Sequence, residues 1–491
     1  RNFLSITINY SPGGSVFCFS TGFLSCLFTG VYTGPILSVS DCLQVLADLE
    51  YAMSARRHVD RPGLFSFKSC DPVLVCRSPK AHKGVSCLQK RFVSEMNPIC
   101  INRSIEEEAS MKFQCHTRDF LEAVGLVSGV VPANPTRPVL QSALLIADQK
   151  GLQVVGTDLE VGLQAQVDEV MVEKEGSCLV PCARLVKILR ELQGSDLCVE
   201  QDETGQICID SGSANFKIPA GPVDEYPTVS FSNEGPAFQV NREDLIRNFQ
   251  RVSVASAKDA TRFNMHSVLL EGKGEELSIV GTDGKRMAMS AMPAAAGNDS
   301  GMPEGQFILP LKAVDLLSRI LTSEDEENVT LRLDANEATY ISDTVCLSCR
   351  LVEGRFPEYE RAIPQDLENV YRINSEELLV ALKQCALMTT KERNSVRFSF
   401  GETEATLFGH ASNVGESRIQ FPVEKVSGEE GDFAVHFNPV YLIDLLRVID
   451  SKQVECGFRD GKTAGLFSIP DHPEAYRHIV MPLVINEMQE A

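Results

Sequence analysis

The sequence motifs of several common enzyme classes are missing from this chain of 491 residues. It has no phosphate-cradling glycine loop, no GxSxG nucleophile motif, no HExxH zinc motif and no two cysteine pairs at zinc-ribbon spacing. After residue 111 there is also no apolar run long enough to span a bilayer. These absences argue against the enzymes that such motifs mark, and against a membrane span in this part of the chain.

Basic residues are scarce, since 46 Lys and Arg stand against 67 Asp and Glu, for a net charge of −21. This balance argues against a protein that binds nucleic acid over its whole surface. The six helices predicted after residue 110 nevertheless carry a net +4, whereas residues 111–491 together carry −23. The contrast predicts a helix-lined surface that faces phosphates, with acidic strands outward. Ordinary solvated helix faces are the alternative.

Cysteine and histidine show no ligand pattern. Nine of the 16 cysteines follow residue 110 without framework spacing, so we expect reduced thiols. Cys346 and Cys349 form a CxxC inside an alternating run, and we interpret them as strand cysteines. His472 and His478 are close in sequence, but no further ligands are apparent, so we interpret them as two histidines of a surface loop.

Residues 1–110 differ in composition from the rest. From Asn2 to Ser40 there is no charged residue, and scattered Arg, Lys, Cys and Pro follow. We expect this segment to be translated sequence upstream of a start at Met111. The alternatives are a disordered N-terminal extension and, because Phe17 to Val39 is largely apolar, a targeting segment.

The rest of the chain repeats one pattern three times, at a period of about 125 to 130 residues. The repeats open with FQCHTRDFLEAV, FQVNREDLIRNF and YRINSEELLVAL, which start at Phe113, Phe238 and Tyr371. Two further sets of similar segments follow each opening in the same order. The repeat predicts three tandem domains, at residues 111–232, 236–366 and 369–491, joined by short links that contain Pro.

Each unit shows the same pattern twice: a strand, a helix and three more strands. The first helices are expected to begin at start signals that combine a capping residue with acidic residues, at Thr117, Asn241 and Asn374. A helix with a single apolar stripe must cover a sheet face. The predicted fold class is therefore α+β, with two β-α-β-β-β halves in each domain.

Several basic residues are candidates for contact with phosphates. Arg184, Lys187 and Arg190 follow one another at helical spacing, opposite the leucines of the same predicted helix. A similar set is Arg247, Arg251 and Lys258. One arginine also recurs before the strand that follows the first helix of each unit: Arg137, Arg262 and Arg393. For this recurring arginine, a phosphate contact and a structural ion pair both remain open.

The ordered set of motifs resembles the bacterial sliding clamp, the beta subunit of DNA polymerase III. The motifs are MKF at Met111, TRPVLQSALL, TDGKRMAM from Thr282, LVEGRFPEYERAIP from Leu351 and VMPLVI from Val480. The resemblance covers about Met111 to Ile485. It implies a head-to-tail homodimer whose six domains close into a ring around duplex DNA, with helices lining the hole.

The resemblance also implies a role and partners. It implies a cytoplasmic, non-catalytic processivity factor of DNA replication that has no cofactor and no membrane contact. The implied partners are duplex DNA, the replicative polymerase, the clamp loader and other proteins with a short peptide motif. Its carried-over DNA contacts are Arg137, Lys258 and Arg262, whereas Lys187, Arg190, Arg247 and Arg251 are inferred from helix faces. The alternative is a repeat-built scaffold that does not encircle DNA.

A hydrophobic pocket between the second and third domains is the partner site that the resemblance implies. Carried over by motif, its residues are Met265, Thr282, Gly284, Arg286, Met287, Pro310, Val314, Ile479, Val480, Met481, Pro482 and Leu483. Apolar Met and Val side chains would make a pocket that adapts to several peptides. This sequence departs from the family at Lys285 and at Arg262-Phe263-Asn264, and it continues as Asn486 to Ala491, a polar segment expected to shade the pocket partly.

Overall fold

The computed structural model describes residues 4–11, 14–21 and 111–484, except for 213, 234, 259–264, 297–302, 391–393 and 429–432. The chain divides into two compact units, Arg1–Phe92 and Val93–Ala491. In the first unit, the described residues form an antiparallel hairpin of strands β1 (Leu4–Ser11) and β2 (Gly14–Thr21). The predictions for the rest of residues 1–110 lie outside the described residues.

Three similar domains follow in the second unit. The helices are α1 (Thr117–Ser128), α2 (Cys182–Glu191), α3 (Arg242–Ser253), α4 (Leu311–Ser323), α5 (Ser375–Ala386) and α6 (Pro439–Val448). The strands of the first domain are β3 (Lys112–His116), β4 (Ser142–Asp148), β5 (Gly151–Thr157), β6 (Val161–Val167), β7 (Met171–Lys174), β8 (Gly176–Pro181), β9 (Asp196–Gln201), β10 (Gln206–Asp210) and β11 (Asn215–Pro219).

The other two domains repeat this order. The second has β12 (Ala237–Asn241), β13 (Ser267–Lys273), β14 (Glu276–Thr282), β15 (Arg286–Pro293), β16 (Ala295–Ala296), β17 (Gly305–Pro310), β18 (Asn328–Leu333), β19 (Glu337–Ile341) and β20 (Val345–Arg350). The third has β21 (Asn369–Asn374), β22 (Val396–Phe400), β23 (Glu404–Ala411), β24 (Gly415–Pro422), β25 (Glu424–Ser427), β26 (Phe433–Phe437), β27 (Gln453–Phe458), β28 (Gly465–Ser468) and β29 (Tyr476–Val480). The predicted α+β fold of two β-α-β-β-β halves per domain is confirmed, and each domain has one additional strand between the halves: β7, β16 or β25.

Sheets run across the boundaries between domains. Strand β20 of the second domain pairs with β6 of the first, and β29 of the third pairs with β15 of the second, all antiparallel. Each pairing produces one nine-stranded sheet shared by two domains. Neighbouring domains are therefore joined by backbone hydrogen bonds, which the sequence pattern did not reveal.

Two of the three predicted start signals act as helix caps. The side chain of Asn241 accepts from the backbone N–H of Asp244, and that of Asn374 accepts from Glu376 and Glu377. Thr117 is instead the first residue of α1, whose N-cap His116 makes no side-chain cap bond. The prediction was wrong at this helix, where a histidine occupies the place that asparagine holds in the other two domains.

One glycine contact recurs in all three domains. A Cβ at Gly156, Gly281 or Gly409 would lie 2.5 Å from Val127, 2.8 Å from Val252 or 2.9 Å from Cys385, respectively. The three contacted residues occupy the last turn of α1, α3 and α5. Glycine therefore allows the first helix of each domain to lie directly on the second of the three following strands.

The sheets have two different faces. In β14, the side chains of Leu277 and Ile279 enter the main core beneath the helices. The alternate residue Val280 belongs to a second apolar cluster with Phe356 and Tyr359, which follow β20 in the chain. Helices thus cover one face of the sheet, here called the inner face, and a connecting segment covers part of the outer face.

Candidate functional site

A tight turn between β14 and β15 forms one side of the boundary between the second and third domains. Thr282 Oγ1 accepts from the N–H of Gly284 at 3.1 Å and donates to the carbonyl of Arg286 at 2.7 Å. Asp283 Oδ1 accepts from the N–H groups of Lys285 and Arg286 at 2.8 and 2.9 Å. Gly284 has a φ of 83°, which a side chain would disfavour. The TDGKR motif therefore builds a rigid turn.

Arg286 connects this turn to helix α6. Its Nε donates to Asp283 Oδ2 at 3.2 Å and its Nη1 donates to Asp444 Oδ2 at 2.9 Å. Its guanidinium carbon lies 4.5 Å from the ring centroid of Tyr441. Arg286 is 5% exposed, so two carboxylates and an aromatic face hold a buried cation. This arrangement fixes α6 relative to the turn.

The segment after β29 leaves apolar side chains at the surface beside this turn. Met481 donates its N–H to the carbonyl of Lys285 at 2.9 Å, and Leu483 donates to the carbonyl of His436 at 2.8 Å. Met481, Leu483 and Val484 are 50%, 37% and 76% exposed. Val440, in the first turn of α6, is also exposed. Backbone bonds thus hold a row of exposed apolar side chains between the two domains.

The predicted pocket residues divide into two groups. Some are buried and can only support the surface: Thr282, Arg286, Met287, Pro310, Val314, Ile479 and Val480. Within this group, Met287 and Ile479 lie in the outer-face cluster, whereas Val314 and Val480 belong to the main core. The others reach solvent at least partly: Met265, Gly284, Met481, Pro482 and Leu483. Fewer residues are therefore accessible to a ligand than the motifs predicted.

The corresponding boundary between the first and second domains is built differently. There the turn residue Asp158 forms an ion pair with Lys312 of α4, and the same ammonium donates to the carbonyl of Val130. Val161 occupies the place of Arg286, because both residues begin the strand that pairs with the next domain. The buried arginine cluster thus distinguishes the second boundary from the first.

Sequence reasoning missed the residues that α6 contributes to this site: Val440, Tyr441 and Asp444. Arg286 and Asp444 are separated by 158 positions. No local motif marks these residues, since they meet the turn only after β15 and β29 have paired. Asn438 could have been noticed from its place before Pro439, where its side chain caps α6.

Arg251 does not belong to the exposed basic face, and that prediction was wrong. Only 8% of this residue is exposed, and its Nη2 donates to the carbonyl of Ile449 at 3.1 Å. Its guanidinium carbon lies 5.3 Å from the ring centroid of Tyr476. Burial lowers the pKa of Arg251 below its usual value. Arg251 is buried because the third domain packs against the end of α3.

The other predicted DNA contacts have different environments. Arg137, Lys187, Arg190 and Lys258 are exposed. Arg247 is half-buried, and its Nη1 lies 2.7 Å from Asp244 Oδ1. Together with Arg447 it lines a groove of about 360 Å³ between α3 and the end of α6. Arg262 lies outside the described residues, as does Arg393.

The recurrence of an arginine in the second helix of every domain was overlooked, although Arg190 itself was a candidate. Arg190, Arg319 and Arg447 each occupy the ninth position after the N-cap of α2, α4 and α6. All three are exposed. The equal spacing was visible in the sequence. These residues place positive charge at one repeated point of the helix surface.

No described group of three His, Cys, Asp or Glu residues could hold a metal ion. The nine described cysteines are free thiols, and Cys346 and Cys349 both lie in strand β20, as expected. None of the described helices has the length and apolar character needed to cross a membrane.

Family comparisons cover the whole repeat region. Models of the DNA polymerase III beta subunit match its N-terminal domain at residues 111–230, its central domain at 239–358 and its C-terminal domain at 360–484. The chain belongs to the DNA polymerase III beta subunit family. The known role of this family is to encircle DNA and tether a polymerase, and the three domain matches follow in the family's order.

Individual relatives agree with this assignment. The chain is 29% identical to the beta sliding clamps of Pseudomonas aeruginosa and Chlamydia muridarum, over 76% and 77% of its own length and 100% of theirs. A crystal structure of the beta subunit from Thermotoga maritima matches with a TM-score of 0.70 at 26% identity, covering 77% of this chain and all of that one. The sliding clamp from Pseudomonas aeruginosa bound to griselimycin matches with a TM-score of 0.68 at 28% identity, over 77% of this chain and 100% of that one.

His478 lies at the centre of the boundary that carries the predicted pocket. It is fully buried in β29, so the expectation of a surface-loop histidine was wrong for this residue. Its Nδ1 lies 3.2 Å from the hydroxyl of Tyr476, which also contacts the carbonyl of Arg251 at 3.2 Å. Burial first, and the charge of Arg286 second, lower the pKa of His478 to about 3. His472, in contrast, is exposed.

We predict that the buried, neutral His478 makes the folded state less stable in acid, because the unfolded chain takes up a proton that the folded chain does not. Because the folded pKa lies below the ordinary value of 6.5, the folded state binds fewer protons than the unfolded state. Stability contributed by neutral His478 is present above pH 6.5 and is lost as pH falls toward 3, by up to about 1.4 kcal/mol per pH unit. His478→Gln should flatten the dependence of the melting temperature on pH between about 6.5 and 4.5.

The matched control is His472→Gln, which removes an exposed histidine of the same domain. It should leave the acid dependence as it is in the unmodified protein. Calorimetry at a series of pH values measures both variants. If the melting temperature of His478→Gln falls with pH as steeply as that of the unmodified protein, the role of His478 in acid stability is contradicted.

Proposed function

We propose that this chain is one half of a head-to-tail homodimeric ring that encloses duplex DNA. The proposal rests on two strands at the edges of their sheets. Strands β11 and β24 end their sheets, and among the described strands neither has a partner on its outer side. By position in the repeat, β11 corresponds to β20 and β29, whereas β24 corresponds to β6 and β15. These are the strands that pair at the two boundaries within the chain.

The internal boundaries also predict the register of this pairing. Ser348 lies opposite Gly162 at the first boundary, and Ile479 lies opposite Met287 at the second. We followed the strand pairings across the equivalent sheets to find which residues hold the same position. Lys217 holds the position of Ser348 and Ile479, and Glu416 holds the position of Gly162 and Met287. In a ring, Lys217 of one copy would therefore lie opposite Glu416 of the other. Opposite charges at a directly paired position favour this register.

Exposed apolar side chains near β24 support the same interface. Leu387, at the C-cap of α5, is 70% exposed, and Val414, which precedes β24, is 49% exposed. At the first internal boundary the residue equivalent to Leu387 is Gly129, and a Cβ there would meet Leu316 of the next domain. Exposed apolar groups of this kind mark surfaces that associate.

The repeat also reassigns one basic residue. Lys187 holds the position in α2 that Leu316 holds in α4, where this side of the helix is buried against the preceding domain. We therefore assign Lys187 to the interface between the two copies. For contacts with DNA we propose the exposed or half-buried basic residues of the helix side and its connections: Arg137, Arg190, Arg247, Lys258, Arg319 and Arg447.

A partner peptide would bind beside the turn that Arg286 holds. The exposed row of Met481, Leu483 and Val440 offers apolar contacts, and Met side chains adapt to different ligands. A replicative polymerase and the clamp loader are the proposed users of this surface. The chain would act without catalysis and without a cofactor, as a cytoplasmic processivity factor.

Reversal of the charge at position 217 should weaken the dimer. In Lys217→Glu, two carboxylates would face each other at both interfaces of the ring, and we expect the dissociation constant to rise roughly tenfold or more. Adding Glu416→Lys to the same chain should restore dimerisation. Sedimentation velocity at micromolar concentration measures the change.

Lys150→Glu is the control, because Lys150 is an exposed lysine in the turn between β4 and β5. It should dimerise like the unmodified protein. A chain that remains monomeric at high micromolar concentration without any substitution would refute the ring and favour a scaffold that does not encircle DNA.

The recurring arginines should govern retention on DNA. The triple variant Arg190→Glu, Arg319→Glu, Arg447→Glu should leave a nicked circular plasmid faster than the unmodified ring. Each lost phosphate contact should reduce the slope of log affinity against log salt by about 0.9. Loss of retention and a shallower slope together support these contacts.

The control reverses the charge of one arginine on the outer face of the sheets. Arg361 follows Tyr359 on the segment that covers the outer face, and its side chain is 83% exposed. Arg361→Glu should retain DNA normally. Normal retention and an unchanged salt slope in the triple variant would remove these arginines from the proposed contact surface.

The peptide surface has a separate test. Met481→Asp combined with Leu483→Asp should weaken the binding of a fluorescent peptide that carries a polymerase clamp-binding motif. The affinity should fall more than about tenfold, because two apolar contacts are lost. The melting temperature and the dimer should be unaffected, since both side chains are exposed. Met171→Asp is the control, as Met171 is an exposed methionine of the first domain. Unchanged peptide affinity would contradict this site.

A further inference from the structure

The turn residues that precede the two boundary strands differ in charge. Glu160 precedes β6 and Lys285 precedes β15, so these residues hold the same place in the repeat. The carbonyl of each accepts one N–H from the next domain: Glu160 from Arg350 and Lys285 from Met481, both at 2.9 Å. The two boundaries therefore share this backbone contact and differ in the side chains around it.

At the first boundary the two side chains are complementary. Glu160 and Arg350 continue the antiparallel pairing of β6 with β20, in which Val161 lies opposite Cys349. Residues that are directly opposed in such a pair lie on the same face, with their Cβ atoms about 5 Å apart. Both side chains are exposed. An acidic residue thus lies opposite a basic one, which stabilises the pairing.

At the second boundary the same position has only one charge. Arg286 pairs with Val480, so Lys285 lies opposite Met481 one step further along the strands. Lys285 is exposed, and Met481 is 50% exposed. A thioether cannot neutralise an ammonium group. The charge pair that the first boundary completes within the chain is therefore left incomplete here.

Lys285 lies on the same face as the exposed apolar side chains. Arg286 and Val480 are buried, and Val480 belongs to the main core. Because side chains alternate between the two faces of a strand, Lys285 and Met481 point away from that core. They continue the face of Met287, which lies in the outer-face cluster. The ammonium is thus placed beside an apolar side chain that a peptide would contact.

The other charged groups of this site already have partners. Arg286 lies between Asp283 and Asp444, at 3.2 and 2.9 Å from their carboxylate oxygens. Asp444 also lies 3.9 Å from Arg447. These two cations and two anions balance each other, so they leave no net charge for a ligand.

The ammonium of Lys285 has no such partner in the described part of the chain. The backbone N–H of Lys285 donates to Asp283 Oδ1, which fixes the turn, but no described carboxylate forms an ion pair with the ammonium. Residues 486–491, which were expected to shade this surface partly, lie outside the described residues. Lys285 is therefore an exposed, unbalanced positive charge on a rigid turn.

We propose that Lys285 makes this surface selective for acidic peptides, because its ammonium pairs with a carboxylate that flanks the apolar residues of the ligand. The proposal rests on the proposed peptide surface and adds a charge preference to it. General electrostatics of a chain with a net charge of −21 repel an acidic peptide, so the preference has a local origin. Since exposed ion pairs contribute little, we expect an effect of about threefold.

Fluorescence anisotropy with paired peptides measures this preference. All peptides carry the same apolar clamp-binding motif, and one Glu is moved through the flanking positions, with Gln at the same position as the neutral reference. The best Glu peptide should bind the unmodified protein about threefold more tightly than its Gln partner. The ratio of affinities should fall to about one for Lys285→Gln, persist for Lys285→Arg and fall below one for Lys285→Glu. Higher salt should reduce it.

Lys150→Gln is the matched control. Lys150 is an exposed turn lysine of the first domain, and its N–H donates to Asp148 Oδ1 at 2.7 Å, as that of Lys285 does to Asp283. This variant should keep the ratio of the unmodified protein.

Two results would overturn the charge preference alone: equal binding of Glu and Gln peptides at every position, or a ratio that persists in Lys285→Gln. In both cases the neutral peptide still binds, so the proposed function stands. If neither peptide binds the unmodified protein, the proposed function fails, and the charge preference fails with it.

Discussion

At its boundaries, each domain presents strand edges that find no partner within that domain. Backbone N–H and C=O groups along an exposed edge pair with any compatible strand, so a long unpaired edge is a template for association. The pairings of β20 with β6 and of β29 with β15 satisfy four such edges inside the chain. The strands equivalent to these in the repeat, β11 and β24, lie at the ends of their described sheets. The ring that we propose would satisfy these two edges in the way that the internal boundaries satisfy theirs.

A shared framework lets single positions give each boundary its own chemistry. Val161, Arg286 and Gly415 begin the equivalent strands of the three domains, and the first two of these strands pair with the next domain. Val161 continues the core, whereas Arg286 needs the carboxylates of Asp283 and Asp444 to remain buried. This cluster fixes α6 beside the turn and leaves the following apolar residues exposed. The repeat thus gives both boundaries the same strand pairing, and substitutions give the second boundary its buried arginine cluster.

The sequence predicted features that depend on local pattern. Alternation and helical spacing gave two β-α-β-β-β halves in each domain, because a strand or a helix with one apolar face must bury that face. The cross-domain strand pairs were not predictable in this way, since an edge strand and a central strand show the same alternation. Arg251 and His478 were predicted to be exposed for the same reason. Both are buried by contacts across the boundary between two domains, and local sequence does not show such contacts.

An acidic chain that works on DNA needs contacts that are positive but weak. Arg247 lies 2.7 Å from Asp244, and Arg447 lies 3.9 Å from Asp444, so both of these helix arginines have a carboxylate beside them. Such a carboxylate competes with phosphate and reduces the number of counterions that binding releases. Strong contacts would hold a ring at one position on the duplex. In the ring that we propose, enclosure adds to retention, so partly neutralised arginines can hold the DNA at little cost to movement along it.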